Sequence, residues 1–237
     1  MIKFTKINTI LLAISFLLLP AGYGRSAEPQ MPDVNGVLSP HDELRITEVA
    51  GLDPKEAFKR LKGAEFLVDE MLLPKAVYAA YKDRMAEGLD LALHQLSLPH
   101  REVINGKVLD RTAAFYVSKK ILEVFPAESA EGLLELYRTG DGVVQGNVVR
   151  ASGKISSRKI SQLLVKALDN QKNSEKRTPE MEGFPMRVCD EAYNQLVLRY
   201  RIMDVLRTIG NGLSHEVRDY HIDILKNRID ELQGPQS

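Results

Sequence analysis

Between residues 129 and 197, apolar side chains recur at helical spacing in four successive runs, each bounded by a cap or a break. That pattern constrains the fold more than any other feature of the chain. Ser129 is placed to cap a helix over 130–138, where Leu133, Leu134, Leu136 and Tyr137 gather while Glu131 and Glu135 share the outer face. Thr139 and Gly140 end that run, and Asp141 caps the next, in which Val144, Val148 and Ala151 fall at i, i+4 and i+7. Gly153 then permits a stop or a close helix approach. Ser156 and Ser157 open a third run with Ile160, Leu163, Leu164, Ala167 and Leu168 apolar. Pro185 opens a fourth, with Val188, Cys189, Ala192, Leu196 and Val197 on one face. Short turns between consecutive helices make them pack antiparallel.

The second helix of each pair carries a signature. One reads Asp141-Gly142-Val143-Val144-Gln145-Gly146-Asn147-Val148-Val149-Arg150, and the other Pro185-Met186-Arg187-Val188-Cys189-Asp190-Glu191-Ala192-Tyr193-Asn194. Both resemble the inner helices of HEAT-type repeats. Val144 and Val188 are 44 residues apart, inside the roughly 40–47 residues of HEAT and armadillo units. A fainter copy begins at Asp110-Arg111-Thr112-Ala113-Ala114, 31 residues before Asp141. The resemblance covers residues 107–200. It implies an all-α fold of helical hairpins stacked as a short HEAT-like solenoid, with extra N- and C-terminal helices. In such a stack the second helices line the concave side. That places Gln145, Arg150, Arg187, Glu191, Asn194 and Arg199 near a groove suited to another protein or a peptide. Within the last of these helices Val188, Ala192 and Leu196 form the buried stripe, and Arg187, Glu191 and Asn194 lie off it, toward solvent.

The remaining runs extend the helical pattern in both directions. Asp42 to Val49 reads as a short helix, and Asp53-Pro54-Lys55-Glu56 is a strong start for another that buries Ala57, Phe58 and Leu61. Residues 65–73 are apolar and fit a helix or an extended segment equally. Pro74 opens a helix that continues to Leu96, and residues 108–124 form one helix stopped by Pro126. Residues 170–183 are polar without periodicity and read as a surface loop. A helix over 186–209, a Gly210-Asn211-Gly212 turn and a capping helix over 214–232 complete the chain, the last with Ile222, Leu225, Ile229 and Leu232 as its apolar stripe. No useful alternating strand pattern occurs.

The N-terminus has the form of a secretory signal. Lys3 and Lys6 precede an apolar run from Ile10 to Leu19, Pro20 breaks it, and Ala27 is placed for cleavage. Residues 28–40 then read as a flexible linker, with Pro29, Pro32, Gly36 and Pro40, and residues 41–237 as one helical domain. The expected location is the periplasm or the exterior. Loss of residues 1–27 removes Lys3, Lys6 and Arg25 and no acid, so 32 basic and 32 acidic residues become 29 and 32. That balance argues against a nucleic-acid partner. The apolar run is short for a bilayer span, so no integral membrane segment is expected after cleavage.

Cys189 is the single cysteine, so an exported form has no internal disulfide. Its neighbours on the helix, Val188 and Ala192, predict a buried, inert thiol. Other chemistry is sparse. His215 and Asp219 share a helix face, but His221 turns away from them, and a zinc helix needs histidines at i and i+4. His94, His100 and Glu102 flank Pro99 and form a second loose group. Glu131 with Glu135 and Asp219 with Asp223 are carboxylate pairs of the kind exposed helix faces carry. No nucleophile elbow, metalloprotease helix, phosphate loop or dinucleotide fingerprint is present. No catalytic residue, metal or cofactor is therefore assigned. The expected function is a non-catalytic exported protein-binding or scaffold module. An immunity or inhibitor protein that caps a toxin or enzyme is one alternative, and an all-helical enzyme whose acids and histidines meet only in space is another.

Overall fold

The computed structural model of the chain describes residues 38–104, 106–176 and 182–233. The expected signal segment 1–27 and all but the end of the expected 28–40 linker lie outside them. Among the described residues there are eleven helices and one two-stranded sheet, so the chain is mainly helical. The helices are α1 (Pro40–Ala50), α2 (Pro54–Leu61), α3 (Ala64–Leu67), α4 (Leu72–Tyr81) and α5 (Met85–Leu96), followed by strands β1 (Arg101–Ile104) and β2 (Lys107–Asp110). Then come α6 (Thr112–Val124), α7 (Pro126–Thr139), α8 (Gly142–Ser152), α9 (Arg158–Ala167), α10 (Val188–Tyr200) and α11 (His215–Gln233).

Side-chain caps set several of these boundaries. Ser39, Asp53 and Asp141 each accept a hydrogen bond from a backbone N–H of the first turn of α1, α2 and α8. Asp69 accepts from the N–H groups of Met71 and Leu72, which converts the ambiguous 65–73 stretch into the short α3 and the start of α4. Pro40, Pro54 and Pro126 occupy first turns, where no amide hydrogen is missed.

The packing is layered. Helices α5, α7 and α9 contact one another in succession, and so do α6, α8 and α10. Each member of the first set also packs against the helix that follows it in sequence. At one end α4 lies on α1, α2 and α6, and at the other α11 lies on α10. One continuous apolar core runs through the described residues, from Val49 and Phe66 through Leu133 and Val148 to Leu196 and Ile229.

Four boundaries differ from those the sequence suggests. The run over 74–96 is two helices, because the Arg84 guanidinium donates to the carbonyls of Leu52 (2.7 Å) and Ala80 (3.1 Å) and pins a turn there. The run over 108–124 begins only at Thr112, since residues 107–110 pair antiparallel with 101–104 across a turn in which Gly106 has φ 73°. Asp110 then caps α6 through the Thr112 N–H at 2.8 Å. Ser129 is not a cap: α7 starts at Pro126, and the buried Ser129 hydroxyl donates to Leu122 O inside the hairpin. The run over 186–209 stops at Tyr200, where Arg201 takes a left-handed φ of 51°. Residues 202–209 return along α10, held by Tyr193 Oη donating to Leu206 O (2.6 Å) and by Asn194 pairing with both the N–H and the carbonyl of Ile209.

Residues 170–176, expected as a surface loop, pack directly on α8. Ser174 is fully buried. A Cβ on Gly142 would meet Asn173 O, and a Cβ on Gly146 would collide with Ser174. Gly146→Ala is therefore expected to destabilise by about 1–3 kcal/mol, overriding the roughly 1 kcal/mol that alanine adds to a helix over glycine. Gly153→Ala is the control. Its Cβ would meet only the far end of the Gln195 side chain, which can swing aside, so its chemical-denaturation midpoint should match the parent's.

Candidate functional site

The six groove residues are drawn inward, and every one has intramolecular partners. Gln145 donates to Tyr137 O at 2.9 Å and accepts from the Asn170 amide at 2.9 Å. Arg150 donates to Glu191 (3.1 Å), to Asn147 Oδ1 (2.8 Å) and to Ser174 O (3.3 Å). Glu191 also receives the Ser174 hydroxyl at 3.4 Å. Arg187 binds both oxygens of Asp190, reaches Asp219 at 2.8 Å and donates to Gln171 Oε1. Asn194 is occupied by Ile209. Arg199 donates to Gly153 O, Ile155 O and the Ser161 hydroxyl, closing the end of α8 onto α9.

The expected solvent-facing placement of Arg187, Glu191 and Asn194 is thus corrected. Arg187 and Glu191 are buried and Asn194 is half-buried. The cause is the segment the sequence leaves as a loop. Residues 170–176 lie over α8 and the start of α10, and four of the six residues converge on them. The carbonyls of Asn170 and Lys172 accept the N–H groups of Cys189 and Val188, each at 2.9 Å, and Ser174 N–H donates to Met186 O at 2.8 Å. The face of α8 and α10 on which a groove is expected is covered by residues 170–176.

Asp190 is the centre of this region. Besides Arg187 it binds Arg218 of α11 at 2.6 Å, and both Asp190 and Arg218 are fully buried. Arg218 also donates to the carbonyls of Phe184, Pro185 and Leu213. Burial raises the Asp190 carboxyl, but the hydrogen bonds from Arg187 and Arg218 outweigh it and hold the carboxyl below its ordinary range. Glu191, one residue on, goes the other way: burial dominates and raises it despite Arg150. Sequence reasoning missed Arg218. Its signal is that residue 218 continues the Ile222, Leu225, Ile229 stripe one turn earlier, so a cation sits in an apolar register.

Cys189 is fully buried, as its position predicts. Burial, with the Asp190 carboxylate beside it, pushes its thiol up to about 12. Labelling of the native protein by a thiol reagent should be far slower than in denaturant. Cys189→Ala should cost about 1–2 kcal/mol.

The histidines are used in packing. His215 lies against the Phe184 ring with Nε2 3.2 Å from Pro185 O, while Asp219 on the same face is taken by Arg187. His100 stacks on Phe115 at 4.0 Å, and burial and the Arg150 charge push it down to about 4. Its proposed companions are elsewhere engaged: Glu102 pairs with Arg111 and Lys176, and His94 is exposed. Glu131 and Glu135 pair with Lys159 and Arg138. Among the described residues no group of three or more His, Cys, Asp or Glu is placed to hold a metal, and no helix is long and apolar enough to cross a membrane.

An open cleft lies between the two layers. Where α7, α8 and α9 meet there is a cleft of about 570 Å³. Leu134, Tyr137 and Leu163 line it, with Gln145 and Gln162, and Arg138, Lys159 and Lys166 stand around it. Comparison with known proteins finds no matching family model, no matching curated protein and no matching solved structure.

Proposed function

We propose that this chain is a non-catalytic binding module, built as a short HEAT-like stack of helical hairpins and acting after export. The succession of α5/α6, α7/α8 and α9/α10 pairs, with like helices adjacent in each layer, supports the repeat reading. The observation that carries the binding role is the cleft between α7, α8 and α9. It combines an apolar floor with several polar groups, the composition expected of a recognition site. Five of the six residues first expected to bind serve instead as internal ties behind it, and the sixth, Gln145, both ties Tyr137 to Asn170 and lines the cleft. A partner engages the stack through this cleft, beside the face that residues 170–176 fill.

Site-specific photo-crosslinking tests the reading. A photoreactive residue at Gln162, on the exposed edge of the cleft, should trap one discrete partner protein in the cell envelope. The same group at Val68, which is exposed and outside the cleft, should not. Identical adducts at both positions, or none at Gln162, would remove the binding role. Recovery of a form that begins after Ala27 tests export, and a mature protein beginning at Met1 would refute it.

A further inference from the structure

The proposal of a binding module leaves the chemistry of the partner open, and the inference here rests on that proposal. We infer that the cleft takes an acidic peptide segment of a partner protein, an extended stretch in which glutamates or aspartates flank an apolar side chain. Three observations converge on that class. The cleft is lined by three cations, Arg138, Lys159 and Lys166, and by no acid. Its floor is apolar: Leu163 is buried and Leu134 half-buried. Among the described residues Lys166 makes no ion pair, while the pairs of the other two cations are exposed to solvent.

The exposure of these pairs is what makes exchange feasible. Arg138 is paired with Glu135 on its own helix at 2.9 and 2.6 Å, but both side chains are exposed. Lys159 is paired with Glu131 across α7 and α9, again with both side chains exposed. Such pairs contribute little in water because solvent and salt screen them. A ligand carboxylate that arrives with its neighbouring side chain seated on Leu134 and Leu163 gains apolar burial the internal glutamates cannot supply. Glu131 and Glu135 therefore act as internal competitors that occupy the cations until a ligand displaces them. A free polyanion such as phosphate shares the charge but has nothing to place on the apolar floor.

The test is a titration of the purified protein, read by fluorescence anisotropy. The probe is a labelled peptide with glutamates on both sides of a central leucine. It should bind, and added salt should weaken it. Replacing its glutamates with lysine should abolish binding, and replacing its leucine with serine should weaken it several-fold. Lys166→Glu and Lys159→Glu should each reduce affinity by about tenfold or more, since each converts an attraction into a repulsion. The paired substitution Glu131→Gln with Glu135→Gln should raise affinity several-fold, an effect a merely structural role for these residues would not produce. All four positions are exposed, and circular dichroism checks that each variant folds. Equal binding of the lysine peptide, or no effect of Lys166→Glu, would overturn the acidic-peptide assignment while a discrete crosslink at Gln162 still upheld the module. Equal competition by inorganic tripolyphosphate would make the cleft a general polyanion site and overturn it as well.

Discussion

Asp190→Ala is expected to lower the free energy of unfolding by about 3–5 kcal/mol, the usual consequence of stranding a buried charge. Domains of this kind are stable by roughly 5–15 kcal/mol in total, so the variant should sit near the edge of folding. Removing the carboxylate leaves Arg218, fully buried, with three carbonyls and the Met186 thioether as acceptors, and leaves Arg187 with Asp219 as its one remaining carboxylate. Urea denaturation at neutral pH measures the loss, and an Asp190→Ala midpoint equal to the parent's would show that the network contributes nothing. The same residue sets a pH dependence. A carboxyl held below its ordinary value stabilises the fold above the unfolded value, near 4, and that contribution is lost as pH falls through the folded value. Glu191 has the opposite sign. Its raised carboxyl means the folded protein binds the proton more tightly, so its ionisation costs stability as pH rises through that range. The parent should therefore lose stability on acidification less steeply than Asp190 alone would dictate. Glu191→Gln should steepen the loss.

Leu196→Ala is expected to cost about 2–5 kcal/mol, because Leu196 is fully buried between α10 and its neighbours and alanine leaves a cavity. On the sequence pattern alone, Arg187→Ala should be mild by contrast. The structure reverses that contrast. Arg187 is only 5% exposed and bridges Asp190, Asp219 and Gln171. Its loss should cost about 2–4 kcal/mol, within reach of the leucine, because hydrogen bonds to charged partners vanish and a buried carboxylate loses one of two cations. Thermal or urea melts of the two variants side by side decide the matter. A harmless Arg187→Ala would return that side chain to solvent and break the account of this face.

Helix positions were readable where a side chain both caps and precedes an apolar period, as at Asp53 and Asp141. They misled where local and tertiary signals compete. Ser129 has the chemistry of a cap, yet Pro126 starts the helix earlier and buries it. Residues 107–110 suit a helix by composition, but a turn at Gly106 pairs them with 101–104, and the register is set by two strands only four residues long. The site was misread for a different reason. Periodicity identifies which face of α10 is apolar, and it places Arg187 and Glu191 off that stripe correctly. It does not say what covers the rest of the helix. The cover is an aperiodic polar segment, 170–176, whose backbone pairs with 186–189 and whose Asn170 and Ser174 match polar groups on α8 and α10 one for one. A buried polar face and a solvated one have the same composition, so only the path of the chain distinguishes them.

Arg218 has a bearing on the order in which the molecule assembles. Its guanidinium joins α11 to three carbonyls in the stretches before α10 and before α11, and to the carboxylate at the start of α10. A nascent chain truncated before residue 213 holds Asp190 with Arg187 alone and lacks the helix that shields both. Packing on α8 and α9 seats α10 in the core, and the docking of α11 completes the neutralisation of Asp190. Synthesis thus makes the Asp190 carboxylate before the Arg218 cation that neutralises it.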